Sequence, residues 1–90
     1  MKVKKGDESL ILPMDFGLMV GALWCPADSE HRCVMLEVRV EELMRMRMRE
    51  PKKIGTPTYV AVRGRYLELF PAAGGEGQLR LQYHPPVKEI

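Results

Sequence analysis

Cysteine is scarce in this chain of 90 residues: only Cys25 and Cys33 are present. Two thiols are too few for a disulfide scaffold, so the fold must rest on a packed core. No long hydrophobic run occurs either. The longest, "FGLMVGALWC" (16–25), is interrupted by glycine at positions 17 and 21 and falls far short of a membrane span. The opening "MKVKKGDES" is charged and has no apolar segment behind it, which argues against a secretory leader. The expectation is therefore a soluble, intracellular product with no membrane contact. Charge of a single sign is also lacking. Lys and Arg number 14 against 12 Asp and Glu, so nucleic-acid binding cannot be argued from net charge and would need a local patch.

What is present is strand pattern. A chain of this length is one domain, 1–90, and buries only about 60% of its unfolded surface, so modest stability or a shared partner surface is expected. In "CVMLEVRV" (33–40) Val34, Leu36, Val38 and Val40 share one face, read as buried, and Met35, Glu37 and Arg39 share the other. "PTYVAV" (57–62) and "RYLELF" (65–70) flank Arg63-Gly64, which reads as a hairpin turn with glycine at positive φ. "QLRLQYH" (78–84) alternates again, after the glycine-rich linker "PAAGGEG" (71–77). These three strands in succession predict an antiparallel meander.

The N-terminal half is less regular. "SLILP" (9–13) reads as a strand, "MDFGL" (14–18) as one helical turn, and "MVGALW" (19–24) as a buried strand with Gly21 at a bulge. "PADSEHR" (26–32) is a polar loop, and the C-terminal residues 85–90 read as a loose tail. The fold class is all-β with one short helix, either a small antiparallel sandwich or a barrel-like meander.

The helix comes from "ELMRMRMREPKK" (41–52). Its alternating Met and Arg suit a strand, but Glu, Leu, Met and Arg are strong helix formers and no β-branched residue occurs from 41 to 50. Glu41 and Glu42 suit the positive N-terminus of a helix, the arginines suit its other end, and Pro51 stops it. Helix is the better reading, with Met44 and Met48 on one buried or interfacial face. Leu43, Met44, Met46 and Met48 spread over an arc of about 200° that also contains Arg47, so the amphipathicity is imperfect.

The order of motifs resembles that of tailed-bacteriophage head–tail adaptor, or connector, proteins. "LILPMDF" is similar to their Leu-Pro-x-Asp-Phe entry, and the strand "LMVGALW" follows it. "VRVEELMRMRM" resembles their strand leading into a Glu-rich helix. "GTPTYVAVRGRYLELFPAAGGEGQLRLQYHPP" resembles a Gly-x-Pro-x-Tyr hairpin with a final strand ending at Tyr-x-x-Pro-Pro. The resemblance spans residues 9–86 and covers the β region of such proteins; this chain has no room for the helices with which adaptors dock on the portal ring. It implies a phage or prophage structural protein, found in the virion or in the host cytoplasm before assembly.

Candidate chemistry is sparse. Cys25, His31, Cys33 and His84 include the ligand types zinc accepts, but Cys-x5-His-x-Cys matches no common finger, and buried thiols with exposed imidazoles are the simpler reading. No nucleophile elbow accompanies a Cys–His pair, Glu41-Glu42 reads as a helix start, and "GGEG" lacks the lysine of a phosphate loop. No enzymatic activity, cofactor, metal or small-molecule substrate is expected. The strongest candidate contact is the basic Met-rich segment: Met44, Arg45, Met46, Arg47, Met48, Arg49, Lys52 and Lys53. Its methionines suit adaptable packing on a neighbouring subunit, and its cations suit non-specific phosphate contact. The leading expectation is a non-enzymatic virion module that forms a homo-oligomer or docks on a neighbouring virion protein. The alternative is a small basic nucleic-acid-binding β domain.

Overall fold

A computed structural model describes residues 1–85. Its strands are β1 (Lys2–Val3), β2 (Ser9–Ile11), β3 (Leu18–Pro26), β4 (Cys33–Glu37), β5 (Ile54–Gly55), β6 (Tyr59–Arg63), β7 (Tyr66–Phe70), β8 (Ala72–Ala73) and β9 (Gly77–His84), with one helix, α1 (Val40–Arg49). Seven strands form one mixed sheet in the order β1-β9-β3-β4-β6-β7-β2, nearly closed into a barrel, while β5 and β8 form a small parallel pair. The all-β fold with one short helix is thus observed, in its barrel-like form. The proposed tail falls largely on residues 86–90, outside the described part.

The two edge strands of the barrel are joined by a tight turn. Gly6 takes φ +90°, Asp7 accepts a hydrogen bond from the Lys4 amide at 2.9 Å, and the Gly6 amide donates to the Ala73 carbonyl at 2.6 Å. The edges left over are short, two and three residues, which limits pairing with other chains. Inside, Ala22 and Trp24 of β3, Met35 of β4, Val60 of β6, Leu67 and Leu69 of β7 and Leu79 of β9 form one core. Each such leucine, fully buried, contributes about 1.5–3 kcal/mol.

The bulge expected at Gly21 is present: pairing with β9 shifts register between Met19 and Gly21. The hairpin is also present, with Gly64 at φ +61°, but its two loop residues are Gly64 and Arg65, because Arg63 already pairs with Tyr66. Positive φ at the first loop position alone is the pattern of a type II′ turn, which matches strand twist.

Two expectations are overturned. The meander does not continue past β7: β9 pairs with β3 and β1 instead. Residues 71–77 include β8, whose pairing with β5 carries the chain away from the hairpin. The sheet is also not wholly antiparallel, since β4 and β6 run parallel. The second correction concerns β4. Met35 is its buried residue, at 4% exposure, whereas Val34 and Leu36 are 73% and 56% exposed. Both faces of this strand carry apolar side chains, so register with β3 decides. Met35 lies opposite the inward Ala22, and Val34 opposite Leu23 on the outer face. Val38 and Val40 are half-buried, but beyond the strand: Val38 precedes α1 and Val40 opens it, and both pack on the cluster around Leu43.

Candidate functional site

Helix α1 carries the candidate residues, as expected from composition. Glu41 and Glu42 lie in its first turn and Arg47 and Arg49 in its last. It opens without a side-chain cap and ends at Glu50, whose amide donates to the Met46 carbonyl at 3.1 Å. The helix lies on the outside of the barrel over β6 and β7. Leu43, fully buried, packs there with Ala61 and Phe70, and Met44 and Met46 pack at its margin. Met48, one turn on from Met44, is not buried within the molecule: it is 82% exposed.

Arg47 occupies the place that a fourth apolar residue would have taken. Beneath the helix, Glu68 of β7 is buried at 1% exposure and lies 2.9 Å from Arg47 Nη2 and 3.1 Å from Arg63 Nη2. Ser9 Oγ donates to the same carboxylate at 3.3 Å. Arg47 Nη2 also reaches the carbonyls of Glu8 at 2.6 Å and Leu69 at 3.1 Å. One guanidinium thus ties the helix to β2 and β7, although its Nε is buried without a partner. A buried carboxylate needs such partners, since an ionised group stripped of water and left unpaired is costly.

The basic segment is accordingly divided. Arg47 serves the fold, and Lys53 pairs with Glu50 at 3.3 Å on the surface, where such pairs contribute little. Arg45, Arg49 and Lys52 are exposed and form no ion pair among the described residues. Neither Glu68 nor its bridge was singled out in the sequence. The available signal was Arg47 inside the apolar arc of the helix, which demanded a buried acceptor.

A second feature was hidden by the inverted reading of β4. On the outer face, Leu23, Val34 and Leu36 form an apolar strip that α1 does not cover. The outward Arg80 of β9 lies opposite Leu23, and Arg32 directly precedes β4. Leu23, Val34, Arg32 and Arg80 line one surface cleft.

The thiols and imidazoles are dispersed. Trp24 and Cys33 pair across β3 and β4, so Cys25, next to the inward Trp24, faces outward while Cys33 packs on the core. Both are free. His31 is in the loop before β4, and His84 pairs with Leu18 at the far end of β3 from Cys25. Among the described residues no three His, Cys, Asp or Glu side chains come together as metal ligands. The "GGEG" loop runs into Gly77, which packs against the indole of Trp24.

Two distant motifs of the sequence do meet. The turn between β2 and β3 presents Asp15 and Phe16 to Tyr83 near the end of β9. The Tyr83 hydroxyl donates to Asp15 Oδ1 at 2.7 Å, and the Phe16 and Tyr83 rings are 5.5 Å apart. That hydrogen bond, together with desolvation and the negative charge of Asp15, holds the Tyr83 phenol above its ordinary pKa of 10.0.

Fold and site together define a small barrel with a helix docked outside and an uncovered apolar strip beside it. The chain matches no protein-family model and no curated protein sequence. No helix among the described residues is long and apolar enough to cross a membrane.

Proposed function

We propose that this chain is a non-enzymatic structural module of a tailed-phage or prophage virion, resembling the β region of head–tail adaptor proteins. It acts by self-association and by docking on a larger assembly. The observation that carries this reading is the apolar strip on the outer barrel face, with Val34 and Leu36 left open to solvent. Contiguous apolar surface of this kind, with polar side chains round it, marks a contact with other protein. The meeting of Asp15 and Phe16 with Tyr83 supports the resemblance, because it gives a physical reason for the first and last motifs to occur together.

Sedimentation velocity over a wide concentration range tests it. Association that grows with concentration, insensitive to added DNA, is the expected result. A strict monomer that binds DNA tightly, and loses that binding steeply with salt, overturns it and promotes the second reading, a basic nucleic-acid-binding β domain. That reading has one observation in its favour: Arg45, Arg49 and Lys52 remain exposed near the end of α1.

A further inference from the structure

We infer that the bridge between Arg47 and Glu68 is a rotational pin: it selects which flank of α1 faces the barrel, and adds little to net stability.

The helix by itself leaves that choice open. At about 100° per residue, Arg47 stands in the middle of the apolar arc, nearly in line with Val40. Leu43 and Met46 lie on one flank of it, Met44 and Met48 on the other. Each flank thus offers two large apolar side chains. Methionine is flexible and fills irregular space, so either flank suits the surface made by Ala61 and Phe70. No side-chain cap fixes the start of the helix. Yet one flank is chosen: Leu43 is fully buried and Met48 is 82% exposed.

The bridge breaks the tie. Arg47 Nη2 alone meets three acceptors, Glu68 Oε2 at 2.9 Å and the carbonyls of Glu8 at 2.6 Å and Leu69 at 3.1 Å. Nη1 lies 3.8 Å from Met44 Sδ, against the second flank. With side chains reaching about 6 Å from the axis, turning the helix by about 40° carries the guanidinium about 4 Å sideways, and all three contacts go. Glu68, 1% exposed in mid-strand, cannot follow it. A buried carboxylate stripped of its nearer cation is costly, and that cost outweighs the small difference between two apolar flanks.

The same bridge is a poor source of stability. Glu68 gives up its water and Arg47 most of its own, and the Arg47 Nε is buried without a partner. An apolar pair of similar volume would pack there without that penalty, but would not distinguish one rotation from its neighbour. Charge buried here serves uniqueness: it keeps Leu43 inside and Met48 on the surface.

The test compares the wild type, at low concentration, with Arg47→Met/Glu68→Leu and with the smaller Arg47→Leu/Glu68→Val, which guards against overpacking. Urea unfolding reads stability, and methionine methyl NMR reads the number of rotations. Peroxide oxidation reads the exposure of Met48 against that of Met14, itself 92% exposed. The wild type should give one sharp signal for each of Met44 and Met48, with Met48 oxidised about as fast as Met14. At least one apolar pair should unfold at the wild-type urea concentration or above. Its Met44 and Met48 signals should broaden or split, and Met48 should oxidise roughly twofold more slowly, as for two rotations in comparable populations. Loss of stability in both apolar pairs overturns the inference, because the bridge is then a source of stability. So does a stable apolar pair that keeps single sharp signals and wild-type oxidation of Met48, because shape alone then sets the rotation.

Discussion

Glu68 shows how a single side chain can organise a small fold. Placed in the middle of β7 with its neighbours Leu67 and Leu69 facing the core, it must face outward, where the helix shuts it from water. Arg47, at 19% side-chain exposure, is its half-buried partner, and Arg63, at 60%, its exposed one. Glu68→Ala should therefore cost about 3–5 kcal/mol in urea unfolding, because Arg47 is left beneath the helix uncompensated. Arg63→Ala should cost about 1 kcal/mol or less, as for other exposed pairs. Equal costs would show that burial does not govern this network. Tyr83 offers a second test. Its raised pKa means the folded state holds the phenolic proton more tightly, so this contribution to stability is complete below the unfolded value and is lost as pH rises through the folded one. Tyr83 followed by NMR should ionise above 10.0, and Asp15→Ala should bring its titration down. An unchanged titration in that variant would show that Asp15 is not the cause.

At the scale of elements, helix and strand present opposite lessons. In α1 the buried residue is Leu43, while Met48 stands in solvent. Leu43→Ala should cost about 2–5 kcal/mol and Met48→Ala no more than about 0.5 kcal/mol in the isolated monomer. A comparable loss at Met48, measured by thermal or urea unfolding, would place the helix in another rotation. In β4 the equivalent pair is Met35 and Val34. Met35→Ala should cost about 2–5 kcal/mol, whereas Val34→Ala should be nearly silent under monomeric conditions. The reverse order would restore the face suggested by the valine pattern. These comparisons separate the residues that pack within the molecule from those, like Val34, that its own packing leaves exposed.

For the whole molecule, closure depends on β9 crossing back to β3 after the hairpin. Gly77, at the start of β9, allows that approach: a Cβ there would lie 2.6 Å from the Cys25 carbonyl oxygen and 2.7 Å from the Trp24 ring. Backbone on one side and a buried indole on the other cannot yield easily. Gly77→Ala should lower stability by roughly 1–3 kcal/mol and broaden the Trp24 environment, seen as a fluorescence shift. Wild-type stability and emission in that variant would show that the crossing is looser than this geometry requires. The barrel leaves its outer surface unevenly dressed. The helix covers the outside of β6 and β7, while β3 and β4 keep Leu23, Val34 and Leu36 uncovered. That asymmetry leaves Val34 and Leu36 exposed on the side the helix does not reach.

Local chemistry was readable from the sequence alone. Helix-forming residues with acids before and arginines after made α1, glycine at 64 made the hairpin turn, and the alternation of 78–84 made β9 with Leu79 inward. These depend on propensity, charge order and a backbone angle, each carried by neighbouring residues. Tertiary structure alone decided which face of β4 entered the core, because valines and a methionine competed and only register with Ala22 resolved them. It also decided that β9 joins β3 rather than β7, a pairing between strands some sixty residues apart that no local pattern encodes. The role of Arg47 was settled the same way. A cation in an apolar arc announces a buried partner, but its identity as Glu68, 21 residues away in sequence, exists only once the helix lies on the sheet.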